Sequence, residues 1–444
     1  MLHRQQKLLL VSFFFPPRGG AGTQRAGKLC KYLPARGWDA AVICDGDTGS
    51  GGYVTVYSDS TDDSLTGDIP PGTWIDRIVA ESPDTWVAQA RRLIERQQAE
   101  SGFDAAFVTM SPFWMAPLVE ELAAIVPTAV DLRDPWALDG VPTYSTKLGW
   151  SKDLARMRRT LNAAHAVIMN TEDAKDAALD AFPEISPAKV HAIQNGFDPD
   201  DIRRAMESPL PEEKDDAFRL VHTGTFLTKQ VLAPSGMKQR VRNMLRYRPE
   251  PIQPLGRSVI PVLRAIEIVH KQQGTGSVRF THAGSLDDAT RNEIERASCS
   301  SSVEALGYLP HSESVRHLLG ADGLFLHLHG LPKGHRARII PGKTYEYLAS
   351  GRPILAALPE GDARDLAAAR ERCFLADPCD PESIAAALSR MIQDKGSSAV
   401  PPLSDTDLAG FERRSIAARV AAVLDGLVGS EARHAAETEE SIAR

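Results

Sequence analysis

Short apolar runs alternate with longer amphipathic stretches along nearly the whole chain. Runs of strand character are "KLLLVSFF" (7–14), "DAAVIC" (39–44), "FDAAFVTM" (103–110), "PTAVDLR" (127–133), "HAVIMN" (165–170) and "KVHAIQN" (189–195). Helical patterns follow most of them. The series restarts near residue 215 with "FRLVHTG" (218–224), "SVRFTHAG" (277–284), "SVEALG" (302–307), "GLFLHLH" (323–329) and "PILAAL" (353–358). Alternating β and α elements argue for parallel sheets covered by helices on both faces. Two such series predict an α/β chain with two doubly wound, Rossmann-like domains. The charged stretch "SPLPEEKDDAF" (208–218) reads as the linker. The expected division is 1–207 for the first domain and 208–410 for the second, which holds a basic insertion at 227–256. Residues 411–428 are expected to form a helix packing back on the first domain, and 429–444 a frayed polar tail. No short-period repeat is visible.

Composition changes this picture little. At 444 residues the chain exceeds one ordinary core. Its 43% hydrophobic and 25% charged content suits a globular protein. All six tryptophans lie in the first 150 residues, which fits two domains with different roles. A net charge of −7 gives no general argument for nucleic-acid or membrane binding, and no nucleic-acid partner is expected. Cys30, Cys44, Cys299, Cys373 and Cys379 are scattered and lack CxxC spacing, against a disulfide framework or a zinc site. No apolar run approaches the roughly 18 residues of a membrane span. The start "MLHRQQKLLLVSFFFPP" breaks at Pro16-Pro17 and has no small-residue cleavage site. It reads as a buried first strand rather than a signal peptide, with a cytoplasmic location expected.

Candidate chemistry gathers where strands end. After the first strand come Gly19, Gly20 and Gly22, then a helix from near Thr23. Ligands of open parallel sheets sit beyond the carboxyl ends of the strands. Glycine there admits close backbone approach, and a helix N-terminus favours an anion. The loop therefore faces an anion or a sugar, or is a tight turn without a ligand. A dinucleotide fingerprint would need glycine at 25, where Arg25 stands; Asp45 is the acidic candidate for a ribose. The stretch "TAVDLRDPWALDG" brings Asp131, Arg133, Asp134 and Trp136 to another strand end. That group is a site, a self-satisfied Asp–Arg pair, or both. In "QNGFDPDDI", Asn195-Gly196 makes a turn and Asp198-Pro199 opens a helix.

The most informative stretch is "ARIIPGKTYEYLASGRPILAALPEGD" (337–362). Pro341-Gly342 turn the chain into a helix that carries Lys343 and Glu346 and ends at Gly351. Lys343 suits a phosphate. The carboxylate of Glu346 suits two vicinal hydroxyls, as on a ribose, or else pairs on the surface. Gly361-Asp362 opens the next helix and offers further N–H groups to an anion.

On "PPRGGAGTQR", "DLRDPW", "QNGFDPDD", "LVHTGTF" and above all "IIPGKTYEYLASGRPILA", the chain resembles the retaining GT-B enzymes of glycosyltransferase family 4. The resemblance implies two Rossmann-like domains facing each other across a cleft. It places a nucleotide-sugar donor on the C-terminal domain and a hydroxyl acceptor on the N-terminal one: a glycan, a lipid-linked sugar or a natural product. It matches Glu346 to the ribose-binding glutamate. It matches Gly19, Gly20 and Gly22 to the loop near the donor phosphates and the acceptor, and Asn195-Gly196 to the turn before the domain crossover. The donor set is then Gly19, Gly20, Gly22, Gly224, Thr225, Arg257, Arg338, Gly342, Lys343, Thr344 and Glu346. The acceptor set is Arg25, Arg133, Trp136 and Asn195, with His165 a further candidate. Arg257, Lys343, Asp131 and Asp134 are the catalytic candidates. Arg338 stands where the family has a second glutamate, which leaves donor-sugar recognition open.

The insertion delays the family's phosphate-binding cation. Arg257 is taken for it, Lys343 as its partner and Lys238 as a weaker contender. Within 227–256, Lys229, Lys238, Arg240, Arg242, Arg246 and Arg248 face one acid, Glu250. This is a solvated loop, or a surface for an acceptor or for peripheral contact at the inner membrane face. Departure of a nucleoside diphosphate builds negative charge, which fixed cations stabilise. No DxD-like motif stands in a convincing place, so neither metal nor cofactor is expected. In the family's retaining mechanism the departing phosphate helps deprotonate the acceptor, so no side-chain nucleophile is required. Two other readings are a GT-B epimerase or phosphorylase, and a non-catalytic nucleotide-sugar-binding partner protein, for which Arg338 is the best support. The Ala-, Arg- and Asp-rich composition suggests a high-GC bacterium.

Overall fold

The first apolar run forms β1 (Gln6–Ser12) in the computed structural model, which describes residues 5–17, 21–46, 52–57, 68–210, 216–232, 246–394 and 406–443. Leu8 and Leu10 pack into one layer, Leu9 and Val11 into the other, and all four are fully buried. A strand covered on both faces needs an apolar residue at every position, which explains the unbroken run. The same sheet holds β2 (Trp38–Asp45), β3 (Gly52–Tyr57), β4 (Trp74–Val79), β5 (Ala105–Met110), β6 (Thr128–Leu132), β7 (Ala166–Met169) and β8 (Val190–Ala192). Its order is β3-β4-β2-β1-β5-β6-β7-β8. All pairings are parallel except β3 with β4. The winding reverses between β1 and β5, so the switch point of this sheet lies there.

Internal packing divides the chain into two units. The first comprises Met1–Asp139, Leu148–Asn195 and Arg413–Arg444; the second comprises Gly140–Lys147 and Gly196–Glu412. The C-terminal helix Arg413–Ala443 thus belongs with the first sheet. Ile416, Ala417, Val420, Ala421 and Leu424 form its apolar stripe, in the same layer as Leu8 and Leu10. Trp38 Nε1 donates to Asp425 at 2.9 Å and pins it. The helical backbone runs on through the stretch read from sequence as a frayed tail. Alanine and glutamate there are good helix formers.

The second sheet contains β9 (Phe218–Thr223), β10 (Val278–Ala283), β11 (Val303–Gly307), β12 (Gly323–His327), β13 (Ile354–Ala357) and β14 (Cys373–Ala376), in the order β11-β10-β9-β12-β13-β14. It is parallel throughout, and its switch point lies between β9 and β12. Leu220, Phe280, Phe325 and Leu355 build one core layer; Val221, Leu324, Leu326 and Ala356 build the other. The helix Pro199–Met206 packs Ile202 and Ala205 into that second layer beside Val315 and Leu318, so it groups with the second unit although it precedes residue 208. Residues 140–147 group there too, because Tyr144 and Tyr247 exchange backbone hydrogen bonds of 2.8 and 2.9 Å.

Three strands escape the sequence pattern: β3, β4 and β14. Strand β4 reads "WIDRIV", with two charges mid-run. Asp76 is nevertheless fully buried, because Gln97 Nε2 donates to it at 2.7 Å. A satisfied buried carboxylate looks like a surface residue in a sequence. Among the described residues, no helix is long and apolar enough to cross a membrane, and all five cysteines are free thiols.

Candidate functional site

Histidines end three adjacent strands of the second sheet. His222 in β9 lies beside His282 in β10, its register partner, and His327 closes β12 on the other side. The three imidazoles therefore meet at the carboxyl ends of the strands flanking the switch point. His222 Nδ1 is 3.0 Å from His282 Nδ1, and His222 Nε2 is 3.1 Å from His327 Nε2. His327 Nδ1 sits 2.9 Å from the Gly256 carbonyl. Lys343, first residue of the helix Lys343–Ala349, brings Nζ to 2.9 Å from His222 Nε2. Tyr347 of the same helix accepts the Thr223 N–H at 2.9 Å, fixing helix to strand.

Backbone shape makes room for the amine. Gly224 follows β9 with φ of +118°, and a Cβ there would meet Lys343 Nζ at 2.6 Å. Gly284 follows β10 in the corresponding place, where a Cβ would stand 1.8 Å from the Gly224 carbonyl oxygen. Only glycine fits either position.

The electrostatics are those of buried positive charge. Burial first, then the neighbouring Arg257, pushes the Lys343 ammonium down to about 7, while Glu346 acts in the opposite sense. Burial and then Lys343 hold His282 at about 4, and the same two causes keep His222 and His327 well below the ordinary value. His329, just beyond β12, is held at about 4 by burial, Arg257 and Arg248. The histidines His222, His282, His327 and His329 stay neutral in the fold at neutral pH and charge up in the unfolded chain below about pH 6.5. The stability they carry is present at neutral pH and falls progressively as pH drops from 6.5 toward 4. Each histidine contributes up to about 1.4 kcal/mol per pH unit. The denaturation midpoint of the intact chain is expected to fall steeply between pH 6.5 and 5; a flat midpoint over that range contradicts the clustered neutral imidazoles.

The sequence-predicted donor residues gather only in part. Arg257, at the end of the turn Pro254–Arg257, acts on Lys343, His327 and His329 and so faces the cluster. Gly224, Lys343 and Glu346 join it. Glu346 Oε1 is 2.8 Å from His311 Nε2, a partner the sequence did not suggest. Gly342 precedes the helix, Thr344 is buried with no hydrogen bond at Oγ1, and Thr225 is exposed. Arg338 pairs with Glu250 at 2.7 Å, so the insertion's one acid is bound. Arg248 donates to Thr143 Oγ1 at 2.9 Å, an exposed bond that ties this end of the insertion to its unit. Gly19, Gly20, Lys238, Arg240 and Arg242 lie outside the described residues.

In the first unit, Arg25 donates Nε and Nη2 to Asp131 at 2.9 and 2.7 Å. It also donates to the carbonyls of Gln194 and Ile193 at 2.8 and 3.1 Å. Both ionic residues are almost fully buried. The pair braces the helix Ala21–Tyr32 against β6 and the exit of β8, the self-satisfied Asp–Arg arrangement that the sequence also allowed. Trp136 is likewise buried, stacked on Phe113 at 5.0 Å with Nε1 donating to Asp153 at 3.0 Å. His165 sits at the amino end of β7, where its Nδ1 accepts from Thr128 N–H at the amino end of β6. In a parallel sheet that is the opposite end from Arg133 and Asp134. Arg133 remains half-buried, over the Phe14 ring and against Gly22, and its charge is disfavoured chiefly by burial. Asp134 is exposed, and Asn195 is half-buried with its N–H on Asn170 Oδ1 at 3.1 Å. Phe13, Phe14, Phe113 and Trp114 stand half-buried after β1 and β5, flanking this sheet's switch point.

Known families and folds can now be set beside this geometry. A glycosyl transferase 4-like domain model matches residues 19–196, and a glycosyl transferases group 1 model matches 258–394. No curated protein matches the chain by sequence. Among solved structures, the chain is similar to a sucrose-phosphate synthase from Thermosynechococcus elongatus, at 13% identity over 98% of this chain and 100% of that one, with a TM-score of 0.56. It is similar to the catalytic domain of starch synthase IV from Arabidopsis thaliana bound to ADP and acarbose, at 11% identity over 96% and 100%, with a TM-score of 0.59. It is also similar to a putative UDP-N-acetylglucosamine 2-epimerase from Listeria monocytogenes, at 12% identity over 95% and 96%, with a TM-score of 0.56. At such identities the structural likeness establishes the fold alone.

Proposed function

The chain belongs to the family-4-like glycosyltransferases, with a 4-like domain followed by a group 1 domain on a GT-B fold, and from that premise we propose that it moves a sugar from a nucleoside-diphosphate sugar to a hydroxyl acceptor with retention of configuration. The observation that carries this reading is the meeting of Arg257 and Lys343 at the β9/β12 switch point, beside the space that Gly224 leaves. Two cations there face the charge that develops on a departing diphosphate, and they need no reorganisation as it forms. Glu346, one turn along from Lys343 and oriented by His311, accepts from the ribose hydroxyls. The acceptor is bound by the first unit, near Arg133 and the half-buried aromatics after β1 and β5. With the leaving phosphate assisting deprotonation of the acceptor, no side-chain nucleophile takes part.

A thermal-shift panel of UDP, GDP and ADP and their sugars tests the donor site first. A ligand at 100 times its Kd should stabilise the chain by roughly 2.7 kcal/mol. Transfer from the selected donor is then followed by NMR of the product anomer. Retention and full activity in EDTA are expected, because Arg257 and Lys343 occupy the role a divalent cation would take. Inversion, or loss in EDTA reversed by Mg²⁺, contradicts the mechanism. A non-catalytic nucleotide-sugar-binding protein is the second reading, favoured by Arg338 in place of the family glutamate; tight donor binding with no transfer to any acceptor would select it.

A further inference from the structure

Arg133 carries a charge that the fold leaves uncompensated. It follows β6 at the carboxyl edge of the first sheet and is half-buried. Its Nε is cut off from solvent without a hydrogen bond, and among the described residues its guanidinium has no ion-pair partner. The acid two positions before it is already engaged: Arg25 takes both oxygens of Asp131, at 2.9 and 2.7 Å. Asp134 is exposed, and Arg25 itself opposes the charge on Arg133. Under the guanidinium lies a neutral ring, Phe14, whose centroid is 6.0 Å away. That is the outer limit of a useful cation–π contact.

An arginine so placed weakens the fold. An unpaired charge is costly to bury, and a linear apolar side chain would pack on Phe14 without that cost. A lysine could relieve the burial by losing its proton, whereas a guanidinium cannot. The neighbouring backbone is nevertheless shaped to admit it. At Gly22, in the first turn of the helix Ala21–Tyr32, a Cβ would stand 2.9 Å from Arg133 Nη1 and 3.2 Å from Phe14 Cδ2. Glycine inside a helix is less stable than alanine, and here its bare Cα is what lets the guanidinium lie on the turn. That turn holds no acidic residue. Its leading N–H groups have no acceptor within the helix. Thr23 in the same turn is fully buried, and its Oγ1 is a further donor without a hydrogen bond.

Positive charge thus arrives from two elements, a planar fork after β6 and the positive end of a helix dipole. Gly22 and Arg133 are both half-buried, so a ligand reaches them from solvent. Beyond Phe14 the surface is aromatic. Phe13 meets Phe14 at 5.1 Å and Trp114 at 5.2 Å between ring centroids, and all three are half-buried. Rings so placed cover the apolar face of a ligand whose charged end is held at Arg133. We propose, from the reading that the first unit binds the acceptor, that Arg133 and the head of the helix Ala21–Tyr32 hold a phosphate group of that acceptor, whose adjoining body lies on Phe13, Phe14 and Trp114. Phosphate suits the donors better than carboxylate does. The guanidinium engages two oxygens, and a third is left for the helix N–H groups. A soluble phosphomonoester and a phospholipid headgroup offer this same chemistry.

Calorimetry on the intact protein compares phenyl phosphate with phenol and benzoate, and phosphatidylcholine vesicles with and without phosphatidic acid. Phenyl phosphate, the vesicles containing phosphatidic acid, or both are expected to bind more tightly than their controls. Preference for the first marks a soluble acceptor, preference for the second a lipid one. Benzoate bound as tightly as phenyl phosphate, or no binding of either phosphate, overturns the proposal. Arg133→Met is expected to weaken phosphate binding by about 10–100-fold, the loss of charge-assisted hydrogen bonds. In phosphate-free buffer its denaturation midpoint should equal or exceed that of the wild type, because the unpaired charge is gone. Gly22→Ala is an independent variant: it keeps the charge, fills the space beside Nη1 and should also weaken phosphate binding with the helix intact. Unchanged phosphate affinity in Arg133→Met, or a fall in its midpoint with affinity retained, makes Arg133 a brace and overturns the proposal. Lost affinity for UDP, GDP or ADP with phosphate binding retained assigns it to the donor and also overturns it. Arg133-dependent phosphate binding in a protein that binds none of the three nucleotides overturns the transferase reading and supports the phosphate site by itself.

Discussion

Replacing Asp131 with alanine is expected to destabilise the first unit by about 3–5 kcal/mol, the range for removing one partner of a buried ion pair. Arg25 would keep its bonds to the Gln194 and Ile193 carbonyls but lose both bonds to the carboxylate. Only 2% of its surface is exposed, so water cannot take the place of Asp131. Urea denaturation followed by tryptophan fluorescence reads this unit selectively, since every tryptophan lies in it. Removing both charges, as Arg25→Met with Asp131→Leu, is expected to recover most of the loss, because the unpaired charge is the costly element rather than the missing pair. Nucleoside-diphosphate binding, assigned to the second unit, should be unchanged in the folded fraction. If Asp131→Ala instead keeps wild-type stability and raises the acceptor KM, the pair contacts the acceptor and is not a brace.

Lys343→Met is the second large effect. It removes one of two cations aimed at the leaving diphosphate, and kcat for transfer is expected to fall by about 10²–10³, equivalent to roughly 2.7–4 kcal/mol of transition-state stabilisation. The fold should not suffer. Lys343 holds down the protonation of His222, His282 and His327, so its removal relieves repulsion when those rings charge. The variant is therefore expected to be at least as stable as the wild type at pH 7, since the cost of burying the ammonium is gone, and more stable at pH 5. Transfer kinetics at saturating donor, with denaturation midpoints at the two pH values, check both halves. A variant that is inactive because it has lost stability at pH 7 would mean that Lys343 is structural.

Much of the fold is legible in the residue pattern because its cause is local. Strands such as "KLLLVSFF" and "FRLVHTG" are apolar at consecutive positions since both faces are covered, and that holds wherever the strand sits in its sheet. Where burial is achieved by a polar partner far along the chain, the pattern fails. Asp76 in β4 is such a case, satisfied by Gln97 and therefore disguised as a surface residue. The reach of the C-terminal helix had a different cause. Its polar end gives no core periodicity, and helix propensity carries the backbone on to Ala443.

The candidate donor site divides in the same way. Lys343, Glu346 and the glycine at 224 stand in contiguous motifs, where spacing along a turn or a helix fixes who lies near whom, so the sequence by itself determined them. The histidines stand in the sequence too, near the ends of "FRLVHTG", "SVRFTHAG" and "GLFLHLH", the last carrying both His327 and His329, yet nothing local says that these three strands are neighbours. Strand order decides it: β10, β9 and β12 lie side by side only because the sheet winds outward from β9 in both directions. The same holds for Arg25 and Asp131, 106 residues apart, whose pairing depends on the first helix packing over β6. Sequence determined the elements and the residues at their ends, since those follow from short-range periodicity and turn chemistry. Tertiary structure alone decided which ends meet, and with them which charges are paired, buried or left to compete for a proton, because those energies depend on distance and desolvation rather than on position in the chain.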